Sequence, residues 1–147
     1  MQERVAEDLE ALLAAAQEES IEILITHVYR SVEEQRQLFT QRLQRQGFTF
    51  SQLADGASDI AIDAVLQQAS PPGYSRHHSG YTLDFRDSSA PFFATSPAYA
   101  WLSADNFENA KQFGFIPSYP EGVPDQGPNP ETWEFVWVGK GLTFERP

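Results

Sequence analysis

The chain has 147 residues, 41% hydrophobic and 13% aromatic, with 21 acidic against 10 basic side chains and a net charge of −11. This length suffices for one domain with a real core, because a chain near this size buries roughly 70% of its unfolded surface, while the acidity argues against nucleic acid or an anionic membrane as partner, since both demand a basic surface. With no cysteine there is neither a disulfide framework nor a thiolate zinc site, so any metal must be held by imidazole and carboxylate.

Residues 3–17 place Ala6, Leu9, Leu12, Leu13 and Ala16 on one helical face, an acidic amphipathic helix rather than a basic segment followed by an apolar one. No run approaches the roughly 18 apolar residues of a membrane span, so an exported form of this protein is expected to carry its signal or anchor ahead of residue 1. IEILITHVY at 21–29 is rich in β-branched residues and too short for an ordinary helix, which predicts a buried strand. Ser31 and Glu34 form a capping-box pattern that opens a helix to about residue 46, with Leu38, Phe39 and Leu43 inward and Gly47 as its stop. Ser58 caps a short helix over 59–69, after which Pro71, Pro72 and Gly73 enforce a loop.

That loop leads through SRHHSG into a strand at 81–86, where alternation sends Tyr81, Leu83 and Phe85 to one face and Thr82, Asp84 and Arg86 to the other. Ser96 and Pro97 start a helix that runs through Phe113, packs through Tyr99, Leu102, Phe107 and Ala110, and stops at Gly114. A loop rich in proline and glycine follows at 117–130, too long for a simple connector. ETWEFVWVG at 131–139 then reads as a strand with Trp133, Phe135 and Trp137 on one face and Glu134, Val136 and Val138 on the other. No repeat or domain-splitting linker is present.

His77 in a loop and Asp84 seven residues later on a strand can converge on one ion, because the Ser79-Gly80 link lets the backbone fold the ring over the strand's polar face. The local alternative is a loop histidine and a strand-end aspartate with their own hydrogen bonds. A catalytic zinc site also needs a third protein ligand and a base, and Glu131 with Glu134 is the only later pair beside a structured strand. By itself, H-x6-D with E-x-x-E is a weak signal.

Several spaced motifs sharpen it. YRS at 29–31 with Gln35 and Leu38-Phe39, the S-x-H-x-x-G-x-x-x-D core inside PPGYSRHHSGYTLDF at 71–85, WL at 101–102, GFIPSYP at 114–120 and ETWEFVWVG at the end resemble, in this order, the VanY-type D-alanyl-D-alanine carboxypeptidases. The resemblance implies the α+β fold shared by D-Ala-D-Ala metallopeptidases, lysostaphin-like enzymes and the hedgehog domain: a small antiparallel sheet flanked by helices. It also implies a zinc peptidase that trims the terminal D-alanine from peptidoglycan stem peptides, acting in the periplasm or outside the cell, most simply as a monomer. By that mapping His77 and Asp84 are metal ligands, Glu131 is the general base, and Arg30, Gln35 and Ser75 bind the peptide and its developing oxyanion. His78 is a bystander, and His27 is a hydrogen-bonded core residue rather than a ligand; Trp133, like Trp101 and Trp137, reads as core by type, but its closeness to the expected base also suits a wall of the substrate cleft.

This chain departs from the family at one position that matters. Where the family ends in E-x-W-H, supplying a third zinc-binding imidazole, residues 131–134 read Glu-Thr-Trp-Glu. Glutamate also binds zinc, so a His77-Asp84-Glu134 site is expected, with a second anionic ligand that weakens Lewis acidity and tilts preference toward manganese or calcium. Otherwise three clustered carboxylates hold a proton, and the chain is a catalytically inactive member that binds peptidoglycan peptides or another protein.

Overall fold

The computed structural model describes residues 1–49, 51–52, 59–124 and 126–141. Helix α1 (Glu3–Glu18) buries Val5, Leu9, Leu12 and Ala16, so its apolar stripe runs through Val5 rather than Ala6. Strand β1 (Leu24–His27) follows, then α2 (Val32–Arg45), whose capping box forms as read: Ser31 Oγ accepts from the Glu34 N–H and Glu34 accepts from the Ser31 N–H at 2.7 Å. Helix α3 (Asp59–Leu66) packs Ala61 and Val65 on Leu43 and Phe39 of α2. Its expected cap, Ser58, lies outside the described residues.

A single 3₁₀ turn (Arg76–Ser79) carries both adjacent histidines into β2 (Thr82–Arg86). Helix α4 (Pro97–Lys111) starts on the expected Ser96 cap, with Ser96 Oγ accepting from Tyr99 N–H at 3.1 Å, and is broken by non-helical backbone at Ala104–Phe107. Two short strands complete the chain, β3 (Phe115–Pro117) and β4 (Glu134–Trp137).

The four strands form one antiparallel sheet in the order β1-β2-β4-β3. Leu83, Phe85, Phe115 and Phe135 cover one face and pack on Leu9 and Leu12 of α1 and on Ala98, Leu102 and Ala110 of α4. On the opposite face of the central pair, Thr82, Asp84 and Glu134 are also buried. Antiparallel sheets often leave one face to water, and here the polar face is instead the floor of a cleft.

The structure also corrects the reading of three strands. The buried strand expected at 21–29 is a four-residue edge strand with Leu24 and His27 exposed, because burial is set by the sheet order and β1 ends it. The strand expected from residue 131 begins at Glu134, since a turn with Glu134 N–H donating to Glu131 C=O occupies the preceding residues and swings Trp133 out. Strand β3 was not anticipated; three residues between Gly114 and a proline-rich loop carry no periodicity to read.

Candidate metal centre and cleft

Antiparallel pairing places Asp84 directly opposite Glu134, so both side chains leave the same face of the sheet. The turn at 76–79 lays His77 over them, with Nε2 at 3.4 Å from Asp84 Oδ1 and 3.4 Å from Glu134 Oε2. The three residues are buried, and each offers a ligand atom within 4.8 Å of the others. They form the only such group among the described residues.

The donor set fits a divalent cation for reasons internal to the site. His77 Nδ1 donates to Val28 C=O at 2.6 Å, which leaves Nε2 to face the carboxylates, the arrangement that fixes tautomer and aim in metal-binding histidines. Asp84 Oδ1 and Glu134 Oε1 are buried with no hydrogen-bond partner, and orphaned buried oxygens of this kind are costly unless something cationic satisfies them. With no metal bound, burial disfavours charge on His77, but the facing Asp84 and Glu134 carboxylates outweigh it and raise its pKa to about 10. A metal held there would have to displace that proton.

Glu131 stands at the rim of this group. Burial first, then the negative charges of Glu134 and Asp84, push its pKa up to about 7, the range in which a carboxylate can both take and return a proton near neutrality. Glu131 and the three cluster residues line a cleft of about 570 Å³. Arg30, Gln35, Ser75 and Trp133 line it as well, so the structure brings every residue singled out from the sequence to one cavity. Within it, Arg30 donates to Gln35 Oε1 at 2.9 Å, and Gln35, 1% exposed, donates to Ser70 C=O at 2.6 Å. Gln35 thus braces Arg30 against the 70–75 loop.

Some cleft residues escaped the sequence reading. Arg76 lies 3.5 Å from Glu134 Oε1, stacks 4.3 Å from the Tyr119 ring centre and donates to Gln126 C=O. Tyr119 keeps its proton, with burial and then Glu134 pushing its pKa up to about 12. Arg76 was legible only as the residue inside S-x-H; its cation finds Glu134 through strand register. His27, expected in the core, lies on the cleft wall with its side chain 59% exposed and Nδ1 3.2 Å from Asp84 Oδ2. His78 takes a structural part, donating from Nδ1 to Arg30 C=O and accepting from Gly73 N–H.

The chain is similar to known proteins along most of its length. It is 26% identical over 144 residues to a D-alanyl-D-alanine carboxypeptidase of Enterococcus faecalis (strain ATCC 700802 / V583), covering 92% of this chain and 47% of that protein. A D-alanyl-D-alanine carboxypeptidase of Enterococcus faecium is 36% identical over 91 residues, 57% of this chain and 28% of that one. The chain therefore spans less than half the length of either relative. Among solved structures, the vancomycin-resistance D,D-pentapeptidase VanY of the VanB-type cassette, in complex with Zn(II), superposes with a TM-score of 0.72 at 23% identity, covering 95% of this chain and 73% of that one. The LD-carboxypeptidase LdcB gives 0.74 at 20% identity, covering 96% and 60%. Both likenesses establish the fold, and the family model of VanY D-alanyl-D-alanine carboxypeptidases matches residues 1–140, so the chain belongs to that family.

Proposed function

We propose that this protein is a metal-dependent peptidoglycan carboxypeptidase that hydrolyses the terminal D-Ala-D-Ala amide of stem peptides. The observation that carries the reading is the buried His77, Asp84 and Glu134 group, whose possible ligand atoms lie within 4.8 Å of one another, with His77 Nε2 facing Asp84 Oδ1 and Glu134 Oε2. These residues would hold the metal, zinc first, with manganese or calcium favoured more than in an imidazole-rich site because two of three ligands are hard oxygens. When bound, the ion supplies Lewis acidity toward the amide carbonyl and makes water a stronger acid.

Glu131 takes a proton from the attacking water and returns it to the leaving amine, a role matched to its pKa of about 7. Arg30, held by Gln35, offers a guanidinium to the substrate's terminal carboxylate or to the developing oxyanion. Ser75 supplies a polar contact and Trp133 an apolar wall. Peptidoglycan stem peptides lie outside the cytoplasmic membrane, so the site of action is periplasmic or extracellular.

One observation favours a second reading. Arg76 beside Glu134, with a proton held by His77, lets the cluster balance its own charge without metal, which suits a non-catalytic peptide-binding member. Metal content separates the two. Protein purified without chelator or nickel is measured by inductively coupled plasma mass spectrometry together with Glu134→Ala and Glu131→Gln. The catalytic reading expects near-stoichiometric metal in wild type and Glu131→Gln, loss in Glu134→Ala, and D-alanine release reduced about 10²–10⁴-fold by Glu131→Gln. Wild type that stays empty after zinc is added overturns the catalytic reading and leaves the binding one.

A further inference from the structure

His27 reaches Asp84 through a defect in the sheet. Leu24 pairs with Arg86 and Ile25 with Phe85, and continuing that register would set His27 opposite Leu83 on the core face. An irregularity between Ile25 and His27 instead sets His27 opposite Asp84, on the cleft face. Bulges of this kind re-aim a side chain at the expense of regular pairing.

The consequence is an ordered carboxylate. Asp84 Oδ2 faces His27 Nδ1 at 3.2 Å, while Oδ1 has no hydrogen-bond partner and faces His77 Nε2. The residues around His27 on β1 and beyond contact the same two residues. Thr26 Oγ1 donates to the Asp84 carbonyl, Val28 C=O accepts from His77 Nδ1, and Arg30 N–H donates to the His77 carbonyl. His27 is the member of this segment whose side chain contacts a ligand carboxylate.

We propose that His27 is a positioning residue of the metal centre: its ring N–H holds Asp84 Oδ2, so that Asp84 meets the ion through Oδ1 alone. This rests on the metal-dependent reading above. A ligand set with two carboxylates invites chelation by both oxygens of each, which would crowd the ion and close the position a water needs. A donor on Oδ2 prevents that for Asp84 and also draws charge from a site made more anionic by Glu134. Outer hydrogen bonds to metal ligands are typically worth roughly 10–100-fold in affinity.

The test uses the full chain with zinc and with cobalt as a spectroscopic probe. Wild type, His27→Ala and His27→Asn are compared for zinc affinity by chelator competition, for the visible spectrum of the cobalt form, and for ring ¹⁵N shifts of His27 and His77. Asparagine places its amide N–H near the position of imidazole Nδ1. The proposal expects zinc affinity to fall roughly 10–100-fold in His27→Ala and to be largely restored in His27→Asn, with weaker cobalt absorption in the alanine variant as the coordination number rises. An unchanged affinity and spectrum in His27→Ala overturns it while leaving the metal centre standing. A metal-induced ¹⁵N shift on His27 like that on His77 overturns it too, by making His27 a ligand. Wild type that binds no metal removes the proposed function itself, and this role with it.

Discussion

Residue 134 decides what kind of centre this is. Glutamate there puts a second anion beside Asp84, and the structure answers with three local cations or donors: the proton on His77, the Arg76 guanidinium and the His27 ring. In the proposed metal centre, Glu134→His would remove one of the two anionic ligands, so a bound divalent ion would retain net positive charge and polarise water more strongly. The expected outcome is a higher zinc-over-manganese selectivity in competition binding and an acid shift of the rising limb of the pH–rate profile. An unchanged selectivity would mean that residue 134 does not contact the ion. The sequence displayed His77, Asp84, Glu131 and Glu134 because they fall in spaced motifs, and the fold brings them together. Arg76, Tyr119 and His27 were invisible as site residues because cross-strand register and stacking, not spacing, place them in the cleft.

Elements read best where their signals are local. The capping box of α2 and the Ser96 cap of α4 form as predicted because each is closed within three residues. The exposure of β1, its bulge and the existence of β3 depend on partners dozens of residues away, which no window of sequence contains. Two supports of this scaffold are testable. Asp87, buried at the end of β2, accepts from Ser89 N–H and Oγ through Oδ1 and from the Ala98 N–H in the first turn of α4 through Oδ2; despite opposing burial, these bonds hold its pKa below the ordinary carboxylate value. Asp87→Ala strands a buried N–H and should cost about 1–3 kcal/mol, lowering Tm by about 2–4 °C per kcal/mol for a chain of this size, with Asp87→Asn milder. Gly114, at φ +82°, ends α4 where a Cβ would lie 2.8 Å from the Gly139 carbonyl carbon and 2.9 Å from Trp137 Nε1. Gly114→Ala should therefore cost at least about 1–3 kcal/mol, and a melting curve that matches wild type would contradict the close approach of residues 137–140 to Gly114.

The whole molecule carries a net charge of −11 and gathers three carboxylates round one imidazole, so its stability without metal should depend on pH in a definite direction. His77 titrates near 10 when folded and near its ordinary 6.5 when unfolded. Its contribution is full below about 6.5 and is lost as pH rises through 10. Glu131 titrates near 7 when folded against an ordinary 4.5, so the folded state again holds the extra proton and stability falls as pH rises from 4.5 to 7. Both groups therefore make the metal-free protein less stable from mildly acid to alkaline pH, and repulsion among the surface carboxylates acts in the same sense. Metal binding at the proposed site would reverse the trend, because the ion would take the place of the His77 proton and compete better as protons become scarce. Melting temperatures at about pH 5.5, 7 and 8.5, in chelator and in excess zinc, should diverge steadily, with the zinc-induced rise in Tm smallest at the acid end. Glu131→Gln should flatten the chelator curve between pH 5.5 and 7 while leaving its alkaline part in place. A zinc-induced rise that shrinks with increasing pH would mean that the cluster does not exchange its proton for metal, and that its carboxylates are balanced by Arg76 and His77 alone.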